Sequence, residues 1–247
     1  MLPLSVAIIA RDEADRIEGA IRSLPDAAEV LVVDSGSTDG TPEVARGLGA
    51  RVVETDWPGH VTQKNRAAEL CTQPWVLFLD ADEAVTEELA RAVRAVVRAG
   101  GPRDGYAVLR RNTWLGQVVR GGSFGPQWHL RLARRELATW AGEDPHDKLV
   151  VAGSVGRLDG VLEHVPYRDV GEHLGTIDRY TARFVEVSLE RGRRSSLLDV
   201  LLRPPIHLLR SLVLQAGLRD GVTGVVLAWL GATYVALKWG RLWWRQP

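Results

Sequence analysis

The sequence predicts an α/β fold: a mostly parallel sheet with crossover helices, a mixed second half, and a helical extension at the C-terminus. Three observations point there. Residues 4–98 alternate short β-branched apolar runs with amphipathic stretches of helical period. Residues 105–170 hold strand-like pieces without regular helices between them, and from about Gly171 the chain reads as helical. A length of 247 residues suits one large domain, or one catalytic domain with an appendage. The expected division is 1–170, itself made of halves 1–98 and 105–170, followed by 171–247.

Taken in order, strands are expected at Ser5–Ala10, Val30–Asp34, Arg51–Glu54 and Trp75–Asp80. Helices near Asp15–Leu24, Thr41–Leu48 and Val61–Leu70 separate them, the second with Thr41 as N-cap and Pro42 at the first helical position. Thr86 opens a fourth helix, whose first-turn Glu87 and Glu88 suit the positive end of the helix dipole. Gly100, Gly101 and Pro102 end it. Strand pieces follow at Tyr106–Arg111, Gln117–Arg120, Trp128–Ala133 and Leu158–His164. Further helices are expected near Glu172–Arg191, after Pro204-Pro205, and from about Gly221.

Lys+Arg and Asp+Glu both number 31, so the chain lacks the overall positive field that draws proteins to nucleic acid. Cys71 stands alone, which excludes an intramolecular disulfide and a multi-cysteine zinc site and suits a reducing compartment. The start, Met1-Leu2-Pro3-Leu4, has no basic n-region and runs soon into Arg11-Asp12-Glu13, so a cytosolic N-terminus is expected. The tail differs from the rest. Residues 191–247 carry nine Lys/Arg against Asp199 and Asp220 only, and Gly221–Leu237 is uncharged over 17 residues, about 25 Å of helix. That is short of the roughly 30 Å hydrocarbon core. With Trp239, Trp243 and Trp244 clustered at its end, this helix is expected to lie in a membrane interface, the alternative being a buried core helix.

Trp75–Leu79 is a continuous apolar run ending in Asp80-Ala81-Asp82-Glu83. Ligands bind at the carboxyl ends of strands in open α/β sheets, and two carboxylates there would repel unless a cation lay between them. Asp80 and Asp82 therefore read as ligands of Mg²⁺ or Mn²⁺ shared with substrate phosphates. The loop Asp34-Ser35-Gly36-Ser37-Thr38-Asp39-Gly40-Thr41 offers small residues and carboxylates to a base and ribose, and Ala10-Arg11-Asp12-Glu13 ends the first strand in the same way. Neither G-x-G-x-x-G nor G-x-x-x-x-G-K-[ST] follows these strands, which argues against dinucleotide oxidoreductases and P-loop enzymes.

These segments, with Gln63-Lys64-Asn65, resemble the GT-A family 2 glycosyltransferases, and within them the lipopolysaccharide-core β-glucosyltransferase group. The resemblance is dense over residues 4–90 and continues to Tyr180-Thr181, Arg203-Pro204 and Asp220-Gly221. It departs from the common pattern at Asp12, where Asn is frequent, and at Ser35, where many relatives carry Asp.

The resemblance implies inverting, metal-dependent transfer of a hexose, glucose, from a nucleotide-sugar, a UDP-sugar, to a saccharide acceptor, lipid-linked or lipopolysaccharide-core. Ala10, Arg11, Glu13, Asp34, Ser35, Gly36, Lys64, Asp80 and Ala81 would hold the donor, and His164 would join Asp80 and Asp82 at the metal. The base that deprotonates the acceptor is expected in the loop Gly142–Lys148, at Asp147 with Glu143 in reserve. Partners expected are a membrane surface, at the cytoplasmic face of the inner membrane, and a second copy through the C-terminal helices, but no nucleic acid. Two other readings remain: a sugar-phosphate nucleotidyltransferase-like enzyme, and an inactive membrane-bound scaffold of the same fold.

Overall fold

The structure, a computed structural model, describes residues 1–24, 26–143 and 146–246, with Glu143 and His146 described by backbone alone. Two compact units result, Met1–Arg110 with Gln127–His164, and Arg111–Pro126 with Val165–Pro247. Residues 111–126, placed in the acceptor half from sequence, group here with the helical part.

The first unit contains, in chain order, β1 (Leu2–Ala10), α1 (Ile17–Arg22), β2 (Ala27–Asp34), α2 (Thr41–Gly47), β3 (Arg51–Glu54), α3 (His60–Leu70), β4 (Trp75–Asp80), β5 (Glu83–Val85) and α4 (Glu87–Arg98). After β6 (Gly105–Trp114) and β7 (Gln117–Val118) come β8 (Gln127–Arg134), β9 (Ala138–Glu143), β10 (His146–Val151) and β11 (Val155–His164). Strands β3, β2, β1 and β4 are parallel and adjacent in that order. The sheet continues through β8, β6, β11 and β5, with β4–β8, β8–β6 and β11–β5 antiparallel. The expected parallel half and mixed half are both present.

The apolar runs at β1 and β4 are continuous because these central strands are covered on both faces. Leu4, Val6 and Ile8 pack with Ile17, Leu24, Leu89 and Val93, whereas Ala7, Leu31, Val33 and Phe78 pack with Ala67, Cys71 and Trp140. Each large aliphatic side chain removed from water contributes roughly 1.5–3 kcal/mol. At the edge, β3 exposes Arg51 and Glu54 at its two ends, charges that discourage pairing with another strand. Thr86 caps α4 by accepting the Leu89 N–H, and its hydroxyl donates to the Val161 carbonyl of β11. That contact requires Gly160: its φ is +96°, and a Cβ there would lie 2.3 Å from the Leu89 nitrogen.

Some expectations need correction. Gly40, at φ +90°, precedes α2, and Thr41 is its first residue; the Thr41 hydroxyl donates to Asp39 instead of capping the helix. The short β5 and the β9–β10 hairpin are additional to the strands read from sequence. Pro204 and Pro205 lie inside a helix rather than before one.

The second unit holds the end of β6 with β7, then α5 (Val170–Glu190), α6 (Leu197–Leu209), a π turn (Arg210–Leu214), a 3-10 turn (Gly217–Asp220) and α7 (Gly221–Arg245). Asp169 caps α5, and Ser196 with Asp199 forms a capping box on α6. Helices α5 and α6 pack on α7 around Val185, Trp239 and Leu242. Asp220 accepts the N–H groups of Arg120 and Gly121 at 2.8–3.0 Å. Helix α7 runs 25 residues, about 37 Å, past the uncharged stretch to Arg245. With the preceding turn it is long and apolar enough to cross a membrane by length and composition, at mean hydropathy 1.4.

His173 of α5 is buried, stacked on Tyr167, and its Nδ1 accepts the Trp114 indole N–H at 3.2 Å. Burial pushes its pKa from 6.5 down to about 4. Because the folded pKa is the lower one, this neutral ring favours folding fully above pH 6.5, and the contribution is lost as pH falls toward 4. Denaturant titrations at pH 7 and 4.5 should show a His173→Gln variant losing less stability on acidification than the parent, by on the order of 1–3 kcal/mol. Identical losses would show that His173 is not responsible.

Candidate active site

The carboxyl ends of β1 and β2 meet through their loops. The Thr38 N–H donates to Asp12 and the Asp12 N–H to Ser37 Oγ, both at 2.8 Å, while Ala14 and Glu13 donate to Asp39 and Thr41 Oγ1. Asp34, 1% exposed, accepts the N–H groups of Gly36 and Ser37 at 3.0 and 2.9 Å. Its partner Gly36 sits at φ +77°, a conformation that glycine adopts without strain. Thus the two aspartates of this loop shape it, which the sequence alone did not foretell. The Ala10 carbonyl accepts the Ser35 N–H, Ser35 Oγ accepts from Gln63, and Glu13 is held by Arg16. Arg11 is exposed, with its Nε 3.9 Å from Asp12. The expected donor residues on β1 and β2 are therefore brought to one place.

A second group lies at the end of β4. Lys64, on α3 and 9% exposed along its side chain, places Nζ 3.0 Å from Asp80 Oδ1 and 2.9 Å from Asp147 Oδ2. It also lies 4.3 Å from the centre of the Trp140 ring on β9. The other Asp80 oxygen accepts from Arg131 at 2.8 Å, and Arg131 reaches Glu83 at 2.7 Å. Arg131 is directed there by a β-bulge: Tyr106 opposes Leu132 and Ala107 opposes Leu130, which leaves Arg131 as the extra residue of β8.

Burial dominates the electrostatics, and fixed charges answer it. Burial opposes ionisation of Asp80, but Lys64 and Arg131 hold its carboxyl well below the usual range. Glu83 is raised by burial, which Arg131 counters only in part and Asp80 reinforces. For Lys64, burial works to lower the pKa, and Asp80 with Asp147 overcomes it, so the ammonium is secured. His129 is pushed down to about 3 by burial and then by Arg110 and Arg131, leaving a neutral ring.

The chain turns at Ala81-Asp82, so Asp80 and Asp82 do not project as an extended pair. Asp82 Oδ2 instead lies 3.2 Å from His164 Nε2, across the β11–β5 pairing that sets His164 opposite Glu83. Among the described residues no three His, Cys, Asp or Glu side chains form a metal group, and of the expected Asp80, Asp82 and His164 it is Asp82 and His164 that pair. The pair itself fits a cation. Adjacent ligands of an octahedral ion at about 2.1 Å lie about 3 Å apart, and Mg²⁺ ordinarily takes one or two carboxylates and completes its shell with water and substrate phosphates.

Asp147 is thus in the cluster, on β10; the Glu143 side chain lies outside the described residues. Arg131, Glu83 and Trp140 were missed from sequence. The sequence offered no signal for Arg131, since an Arg between two leucines in mid-strand, Leu130-Arg131-Leu132, reads as a solvent-facing residue. Arg131→Met should destabilise the fold by about 3–5 kcal/mol, because it takes from the buried Glu83 its nearest cation and from Asp80 one of two. Equilibrium unfolding in urea would measure this, and a change below about 1 kcal/mol would contradict it.

The sequence profile described as glycosyl transferase family 2 matches residues 5–141. Lipopolysaccharide core biosynthesis glycosyltransferase LpsC of Rhizobium meliloti (strain 1021) is 31% identical over 253 residues, covering 99% of this chain and 93% of its own. An uncharacterized glycosyltransferase of Rickettsia bellii (strain RML369-C) is 49% identical over 211 residues, covering 78% of this chain and 70% of its own. Among solved structures, glucosyl-3-phosphoglycerate synthase from Mycobacterium tuberculosis, in complex with Mn²⁺, uridine diphosphate and phosphoglyceric acid, superposes with a TM-score of 0.47 at 22% identity. That match covers 79% of this chain and 80% of that one.

Proposed function

Because the chain belongs to glycosyl transferase family 2, we propose that it transfers a hexose, glucose, from a UDP-sugar to a saccharide acceptor with inversion at the anomeric carbon. The acceptor is a lipopolysaccharide-core or other lipid-linked saccharide, as the name of the R. meliloti relative suggests. The observation that carries this reading is the convergence of Lys64, Asp80, Asp147 and Arg131, within one unit that also pairs Asp82 with His164.

In this reading the β1 and β2 loops hold the nucleoside, with the carboxylates of Asp34 and Asp39 keeping those loops in shape. Asp82 and His164 would hold a divalent metal, which would supply positive charge to neutralise the diphosphate. Lys64 and Arg131 are fixed cations beside it, pre-organised by Asp80 and Glu83 so that no side chain has to reorganise as charge develops. Asp147 takes the proton of the acceptor hydroxyl as the new oxygen–carbon bond forms and the bond to the departing diphosphate breaks. The helical unit, with its basic tail, keeps the enzyme at the cytoplasmic face of the inner membrane, where such an acceptor would lie.

Incubation with UDP-, GDP- and ADP-sugars plus Mn²⁺, read as nucleotide release, tests the donor. UDP release from UDP-glucose is expected. Turnover only with a nucleoside triphosphate and a sugar 1-phosphate would replace this reading by the nucleotidyltransferase one.

A further inference from the structure

Resting on the membrane reading above, we propose that the docking element is α6 with its π turn, lying flat on an anionic phospholipid surface, rather than the longer and more apolar α7. Helix α7 gives one face to its neighbours, burying Leu227, Ala228, Ala232, Trp239 and Leu242. Helix α6 buries none of its residues. Its inner side meets α7 through Val200, which joins the Trp239 core, and Arg203, whose guanidinium lies 4.2 Å from the Trp239 ring centre. Opposite that side Leu198, Leu201, Leu202, Ile206 and Leu209 are each more than half exposed. They recur at helical spacing with no charge among them, and Leu214 continues the apolar character at 79% exposure. An apolar helix face left open to water on a folded unit marks an interaction surface.

The surrounding charge selects the occupant. Of the two acids in residues 191–247, Asp199 is held by Ser196 and Arg203, and Asp220 by the Arg120 and Gly121 amides. Arg194, Arg210 and Arg219 are exposed and have no carboxylate partner among the described residues. A second copy of the chain docking face to face would bring these cations against their own counterparts, whereas an anionic headgroup layer meets them with opposite charge. The prolines support a shallow position. Pro204 and Pro205 cannot donate to the carbonyls of Val200 and Leu201, and in the wet interface water can satisfy them.

Flotation of the full chain with vesicles of neutral phosphatidylcholine, or with added phosphatidylglycerol, at low and high salt, tests this. The parent should float with anionic vesicles, and less at high salt. The double variant Leu201→Glu with Ile206→Glu alters exposed side chains only, so its thermal transition should match the parent while its vesicle partition falls on the order of a hundredfold. Trp244→Glu, on the exposed end of α7, should float like the parent. If the parent floats and the α6 variant floats equally, or if only the α7 variant is released, the assignment to α6 is overturned while the membrane reading stands. If the parent floats under no condition, the membrane reading itself fails. A parent that is instead a dimer in sedimentation, split by the α6 variant, would assign this face to self-association and overturn the lipid proposal.

Discussion

Asp147→Asn should abolish sugar transfer, lowering kcat by roughly 10²–10⁴-fold, the range expected for loss of a positioned base. The amide keeps the shape of the side chain on β10 but cannot accept the acceptor proton. Lys64 complicates the reading, because its ammonium bonds Asp147 at 2.9 Å and Asp80 at 3.0 Å at once. The residue expected beside the donor and the residue expected to serve the acceptor are thus one ion-pair system, not two separate sites. Lys64→Met is the control that separates the roles. A base acting directly leaves UDP affinity close to the parent's in Asp147→Asn and removes turnover, whereas Lys64→Met raises the donor KM as well. If both variants show the same rise in donor KM with kcat preserved, Asp147 merely positions Lys64 and the base lies elsewhere, with Glu143 the next to replace.

Asp82→Asn should cost roughly a hundredfold or more in turnover, the scale for removing one stabiliser of a developing anion. His164→Gln should act in the same direction, since its Nε2 lies 3.2 Å from the same carboxylate. Mn²⁺ binding followed by electron paramagnetic resonance gives a readout independent of activity, and both variants should bind the ion more weakly in the presence of UDP. Asp80→Asn is the informative contrast. Its carboxylate is committed to Lys64 and Arg131, so its loss should weaken the fold around those cations more than it weakens Mn²⁺ binding. Full turnover in excess chelator would end the metal proposal.

The parallel half of the sheet was readable because its physics is local. Arg51–Glu54 and Trp75–Asp80 match their expected ends to the residue, the first two valines bounded by charge, the second an apolar run between Pro74 and Asp80. The β9–β10 hairpin was not readable, since Ala138–Glu143 has little alternation and owes its place to long-range packing of Trp140 against Phe78. Helix α6 was misplaced because prolines ordinarily end helices, yet here a Ser196 capping box starts the helix upstream and overrides them. At the site, sequence identified the acidic residues but not their partners. A carboxylate at a strand end reads equally as a metal ligand or as half of an ion pair, and the partner that Asp80 has here, Arg131, lies fifty-one positions away in sequence.

The extra residue in β8 also sets which changes of length this strand can bear. Residues directly opposite across an antiparallel pair share a face, so His129, facing Val108, and Leu132, facing Tyr106, lie on the same side although they are three apart. The strand is out of phase with itself across Arg131. Deleting Arg131 would restore an unbroken ladder and leave every other residue of the strand opposite its present partner, so each half keeps its face. Only the guanidinium would be lost, and with it the bonds to Asp80 and Glu83. Substitution at Leu130 or Leu132 is a question of volume, whereas the residue between them stands outside the ladder's alternation and can be removed without disturbing it, at the expense of the carboxylates it serves.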